Sequence, residues 1–124
     1  NNSSKLMSSK GILYIVISGP SDYKRATEGI RMAEYQSGDG THGVALMLQG
    51  EGVEWLREGS EDVRKEIQTS IGVVHELGSP IFVCGASLNE RGLTATMRDY
   101  QFTNSSAPKR ISQVVAKGWQ ILVF

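Results

Sequence analysis

Four short runs along the chain are almost wholly apolar, and the stretches between them repeat apolar residues at steps of three and four. The first run, residues 11–18 (GILYIVIS), is rich in β-branched side chains and suits a central parallel strand buried on both faces. Gly19, Pro20, Ser21 and Asp22 break it, and Tyr23, Ala26, Ile30 and Ala33 then mark one face of a helix. Ser21 or Asp22 is placed to cap that helix, and Gly38, Asp39 and Gly40 to end it. Residues 44–48 (VALML) form the second strand, followed by a turn over Gln49, Gly50, Glu51 and Gly52 and a short helical turn over residues 53–56. A longer helix from about residue 61 to 77 carries Val63, Ile67, Ile71, Val74 and Leu77 on one side. Gly78, Ser79 and Pro80 stop it, and residues 81–84 (IFVC) are the third strand.

Ser87 followed three residues later by Glu90 matches a capping box, which predicts a helix starting near Leu88 and cut short by Gly92. Residues 94–107 are polar and without period, with room for a short edge strand around residues 100–103. Pro108 suits the first turn of a last helix running to Lys117, with Ile111, Val114 and Val115 inward. Gly118 closes that helix, and residues 119–124 (WQILVF) form a terminal strand. Strands alternating with helices, without internal repeat or linker, predict a three-layer α/β/α sandwich around a mostly parallel sheet of about five strands.

Composition narrows the picture. A length of 124 residues predicts one domain, able to bury a core without disulfides or a structural metal. That domain is placed at residues 11–124. The polar stretch 1–10 is expected to be a disordered or cloning-derived tail, with Met7 as the natural initiator. Thirteen basic and thirteen acidic residues cancel, so nothing draws the chain to nucleic acid or an anionic membrane, and nothing electrostatic opposes self-association. No apolar stretch approaches the roughly 18–20 residues of a membrane span, and NNSSKLMSSK lacks the apolar core of a secretory signal. One cysteine cannot form an internal disulfide, so the fold does not call for an oxidising compartment. A cytoplasmic protein is expected.

Sites in open parallel sheets form outside the carboxyl ends of the strands. Three segments follow those ends: residues 18–22, 49–53 and 84–89. The only cysteine, Cys84, lies in the third, in IFVCGASLNERG. A helix starting just after it would direct unpaired N–H groups and the helix dipole toward the sulfur and favour the thiolate, with Arg91 and Arg98 as further sources of positive charge. The competing reading is a small buried hydrophobe, since free cysteine is among the most buried residue types. His42 and His75 belong to the opposite edge of the sheet, so no Cys–His pair is expected. One cysteine with two scattered histidines makes no metal site. Gly19 to Asp22 could hold an anion on backbone N–H groups, but this stretch lacks the P-loop glycine pattern, and a capping turn is favoured. Gly50, Glu51 and Gly52 could aim Glu51 into a cleft, though a plain turn explains them more simply. Arg91 either steers an anion or pairs on the surface. Asn89 is a hydrogen-bond donor or ordinary helix-start polarity, and Trp55 and Trp119 read as core or interface anchors.

Three stretches carry a resemblance to a known family. They are SGPSDYKRATEGIRMA (residues 18–33), MLQGEGVEWL (47–56) and PIFVCGASLNERGL (80–93). Together with the terminal ILVF they resemble the DsrE/DsrF-like family of small sulfur-relay proteins. Glu51 stands where the family's strand-two turn usually has aspartate, and the Cys-Gly…Arg-Gly element is the most specific part of the match. The resemblance implies helices on both faces of the sheet and a homo-oligomer, trimeric or hexameric. It also implies, for some members, a cysteine that carries persulfide sulfur. Only Cys84 matches that cysteine; Ala86, Ser87 and Leu88 stand where some members have a second, so no local dithiol cycle is available.

The leading expectation is therefore a sulfur-handling protein that accepts and passes on persulfide sulfur at Cys84. Ser18, Gly19, Asp22, Glu51, Gly85, Ser87, Asn89 and Arg91 are the candidate substrate-binding residues. No cofactor is called for, and the expected partners are sulfur donor and acceptor proteins or small thiols. The alternative is a non-catalytic oligomeric module that holds a small anionic ligand in a cleft lined by Cys84. A third reading is a structural subunit of a heteromeric relay.

Overall fold

The computed structural model describes residues 10–93 and 103–124. Each apolar run becomes a strand and each three–four repeat a helix. In chain order these are β1 (Gly11–Val16), a 3-10 turn (Pro20–Asp22), α1 (Tyr23–Asp39), β2 (Gly43–Leu48), a 3-10 segment (Gly50–Leu56) and α2 (Asp62–Glu76). Then follow β3 (Ile81–Cys84), α3 (Gly85–Glu90), β4 (Thr103–Ser105), α4 (Ala107–Ala116) and β5 (Gln120–Val123). The body of the sheet runs β3-β2-β1-β5, and the three-residue β4 extends it beyond β3. Every pairing is parallel, so the carboxyl ends of all strands meet at one edge.

The period of two along the strands sorts the core into two faces. Tyr14, Val16, Leu46, Leu48, Ile81 and Val83 face α1, α2, α3 and the Gly50–Leu56 segment. Leu13, Ile15, Met47, Phe82 and Cys84 face α4, which contributes Ala107 and Val114. Burying each large apolar side chain stabilises the fold by about 1.5–3 kcal/mol. β2, in the middle of the sheet, is buried along its whole length. The result is an α/β fold with a parallel sheet and helices on both faces.

Several boundaries and orientations differ from the pattern. Ile17 is exposed because β1 ends at Val16, and Tyr23 is exposed while Ala26, Ile30 and Ala33 are buried. Leu77 was expected inward, but α2 ends one residue earlier and leaves it 41% exposed. Val115, also expected inward, is 55% exposed, because α4 is held by Val114 with Ile111 packed beside it. Neither Ser21 nor Asp22 caps α1 with its side chain: the 3-10 turn leads straight into the helix. The helix after β3 starts at Gly85 rather than near Leu88, so Ser87 lies within it and is not its cap. Gly92, at φ +63°, follows its end, as expected. The edge strand falls at Thr103–Ser105; Tyr100 and Arg98 lie outside the described residues, as do residues 1–9. Among the described residues no helix is long and apolar enough to cross a membrane.

Candidate functional site

The carboxyl edge of the sheet holds two different environments, one on each side of the β3–α3 junction. On the α1–α2 side, polar groups are drawn into a closed network. Gly50, at φ +57°, opens the 3-10 segment and donates its N–H to the Ser87 hydroxyl oxygen at 2.8 Å. Gly52 runs so close beneath β1 that a Cβ there would collide with the Val16 carbonyl oxygen. Glu51 swings back over the first turn, where its carboxylate accepts from Ser21 N–H at 3.0 Å and from the Ser21 hydroxyl at 2.6 Å. The Gly19–Asp22 turn does hold an anion on its donors, and that anion is the chain's own Glu51. These bonds, chiefly the Ser21 hydroxyl, hold the Glu51 carboxyl below its ordinary range, with help from Arg91 and the Gly19 backbone.

The network continues through Trp55, 1% exposed, whose indole N–H donates to the Ser18 carbonyl at 2.9 Å. The buried Arg64 guanidinium lies 5.9 Å from the Trp55 ring centroid and donates to the Glu54 and Arg57 carbonyls. Arg91 donates to Glu54 at 3.3 Å, and Arg57 bonds both the Glu54 carboxylate at 2.7 Å and the Arg91 carbonyl at 3.1 Å. Arg57, and secondarily Arg91, lower the Glu54 pKa. Of the two roles open to Arg91, the structure shows the ion pair. Ser18 is buried and donates to the Phe124 carbonyl; Asp22 pairs with Arg25 at 3.1 Å; Asn89 is exposed.

The α4 side is where Cys84 points. Its residue is 7% exposed and packs with Phe82, Ala107 and Val114. Buried as it is, Cys84 lines an open groove of about 330 Å³ with Gly85, Ala86, Ser105, Ser106, Ala107 and Pro108. Cys84 pairs in register with Ser105, so the two side chains share a sheet face. Of the expected site residues, then, Cys84 and Gly85 come together, and Ser18, Gly19, Asp22, Glu51, Ser87, Asn89 and Arg91 do not line this groove. Pattern reading missed Ser105 to Ala107, because they lie in a polar stretch without period. The signal that was available is the Pro108 helix start: a helix N-terminus after a strand puts its first residues at the carboxyl edge.

The two histidines lie at the opposite edge, as expected from their positions before β2 and at the end of α2. His42 has ring nitrogens 2.9 Å from the Gly43 carbonyl and from Gln36 Oε1. His75 Nδ1 is buried without a hydrogen-bond partner among the described residues. A larger groove, about 680 Å³, opens between α1 and α2 around Tyr35, Asp39 and Leu77, away from Cys84. Among the described residues no group of three or more His, Cys, Asp or Glu is placed to hold a metal ion.

A parallel α/β sheet with one cysteine at the carboxyl end of its third strand, opening on a groove, defines a small cysteine-bearing α/β protein. The chain belongs to the DsrE/DsrF-like family, whose model matches residues 10–124. No curated protein matches it in sequence. Its fold is similar to that of the ychN protein from E. coli, with a TM-score of 0.72 at 14% identity, covering 95% of this chain and 100% of that one. It is also similar to MTH1491 from Methanobacterium thermoautotrophicum, a protein of unknown function, at TM-score 0.67 and 18% identity, covering 93% and 98% of the two chains. BT1422 from Bacteroides thetaiotaomicron, likewise of unknown function, aligns at TM-score 0.71 and 15% identity over 94% and 95%.

Proposed function

We propose that this protein accepts sulfur as a persulfide on Cys84 and passes it to an acceptor thiol. The observation that carries the reading is the position of Cys84 at the end of β3, lining an open groove rather than the closed network. Family membership supports the same chemistry.

The step balances without an external oxidant. Cys84 Sγ, as thiolate, attacks the outer sulfur of a donor persulfide; a new S–S bond forms, the donor's own S–S bond breaks, and its inner sulfur leaves with the electron pair as a thiolate. Transfer onward repeats the exchange, with an acceptor thiolate attacking the outer sulfur and Cys84 leaving. With one cysteine in the chain, the acceptor is another molecule: a small thiol, a partner protein or a second subunit. A homo-oligomer, trimeric or hexameric, and a reducing compartment such as the cytoplasm complete the proposal.

The second reading, a non-catalytic module that binds a small anion beside Cys84, draws on the burial of that residue among Phe82, Ala107 and Val114. Cyanolysis separates the two. Protein incubated with inorganic polysulfide, freed of excess and treated with cyanide should release thiocyanate, and Cys84→Ser should release none. Background release from both proteins would leave the binding reading in its place.

A further inference from the structure

The sequence directs attention to Arg91 as the positive charge near Cys84, yet Arg91 is committed to Glu54. A different arginine stands on the side of the sheet that Cys84 faces. Arg110, one turn into α4, lays its guanidinium over the Phe82 ring, 4.0 Å from the centroid. Phe82 is two residues before Cys84 on the same face of β3. Arg110 Nε donates to Ser105 Oγ at 3.2 Å, and a terminal nitrogen donates to Gln113 Oε1 at 2.6 Å. All three of these partners are uncharged.

The direction of the Ser105 bond matters. A guanidinium can only donate, so Ser105 Oγ is the acceptor, and its own O–H must turn to another acceptor. Ser105 is the register partner of Cys84 across adjacent strands, which lie about 4.8 Å apart. Both residues line the same groove. A hydroxyl that accepts from a cation is polarised and becomes a better donor. Partial burial also pushes the Arg110 guanidinium down from its ordinary range, so an anion arriving nearby relieves some of its lost hydration.

We propose that the Ser105 hydroxyl, held and polarised by Arg110, is the donor that receives negatively charged sulfur reagents at Cys84. It makes the groove selective for anionic donors, such as a persulfide or polysulfide anion, over neutral ones. Ser105 touches the incoming group, and Arg110 is a positioning residue that acts through it. This assignment rests on the reading that Cys84 handles sulfur, and it has a readout of its own.

The test compares the rates at which the full chain is alkylated at Cys84 by iodoacetate, an anion, and by iodoacetamide, its neutral counterpart. The ratio of the two rates cancels changes in the intrinsic reactivity of the sulfur. Ser105→Ala and Arg110→Gln should each lower that ratio about tenfold, the size expected for a lost charge-assisted hydrogen bond. Arg110→Lys should recover part of it. An unchanged ratio in folded Ser105→Ala and Arg110→Gln proteins overturns the assignment, as does a parent Cys84 that reacts with neither reagent. Sulfur loading is measured in parallel with inorganic polysulfide. A ratio that falls in the variants while the parent takes up no sulfur sinks the persulfide reading alone. Loading with an unchanged ratio sinks the Ser105–Arg110 assignment alone.

Discussion

The two sides of the β3–α3 junction use similar residue types for opposite ends. On the α1–α2 side, Ser21, Ser87, Glu51, Glu54, Arg64 and Arg91 satisfy one another and the backbone around Trp55. On the α4 side, Ser105 and Arg110 stand beside a groove that reaches Cys84. Polar residues with partners close a structure, and polar residues at an open groove leave capacity for a ligand. Proximity in sequence to the cysteine does not decide which is which: Arg91 is seven positions from Cys84 and belongs to the closed side, while Arg110 is far along the chain and belongs to the open one.

The sharpest way to break that comparison is to dismantle the closed side. Trp55→Ala removes a 1% exposed indole and its bond to the Ser18 carbonyl, and should cost about 3–5 kcal/mol in urea unfolding. The fraction that remains folded should still load sulfur; a folded Trp55→Ala protein that loads none would merge the two sides into one site. Ser87→Ala comes next. It strands the Gly50 N–H beneath α3, and a loss of about 2 kcal/mol is expected from the unfolding midpoint. A loss near zero would mean that the Ser87–Gly50 bond does not hold the 3-10 segment.

The smallest effect belongs to Glu51→Gln, below about 1 kcal/mol because the carboxylate is partly solvated and screened. Its signature is in the pH dependence. Ser21 lowers the Glu51 pKa in the fold, so the folded state binds that proton less tightly than the unfolded chain does. The contribution is present above the ordinary value of 4.5 and is lost as pH falls through the lower folded value. Glu54, lowered by Arg57, acts in the same direction. Glu51→Gln should therefore lower stability at pH 7, where the carboxylate is charged, by more than at pH 3, and so flatten the acid limb of the stability–pH curve. An equal loss at pH 7 and pH 3 would show that the carboxylate charge plays no part.

Much of the fold was legible in the sequence because burial on both faces leaves unbroken apolar runs. β2 and β3 read directly from VALML and IFVC, and α2 from Ile67, Ile71 and Val74. The start of α3 was misread for a specific reason. Ser87 and Glu90 have capping-box spacing, but a residue 37 positions away, Gly50, takes the Ser87 oxygen, and no local pattern encodes that partner. Leu77 and Val115 were placed inward by spacing alone, and each lies at or near the end of its helix, where the apolar stripe no longer meets the sheet. Cys84 was found from its position at a strand end. Ser105 and Arg110 were not, because the polar stretch between α3 and α4 carries no period, Ser105 meets Cys84 only through the β3–β4 register, and Arg110 reaches that face only by lying over Phe82.

The central claim is tested most directly by intact mass after exposure to inorganic polysulfide, for the parent chain and for Cys84→Ser. The account predicts a gain of one sulfur atom on the parent, removed by a small thiol and absent from the variant. An unchanged mass on the parent, or an equal and equally reversible gain on Cys84→Ser, would contradict it and leave Cys84 a packing residue at the edge of a ligand groove.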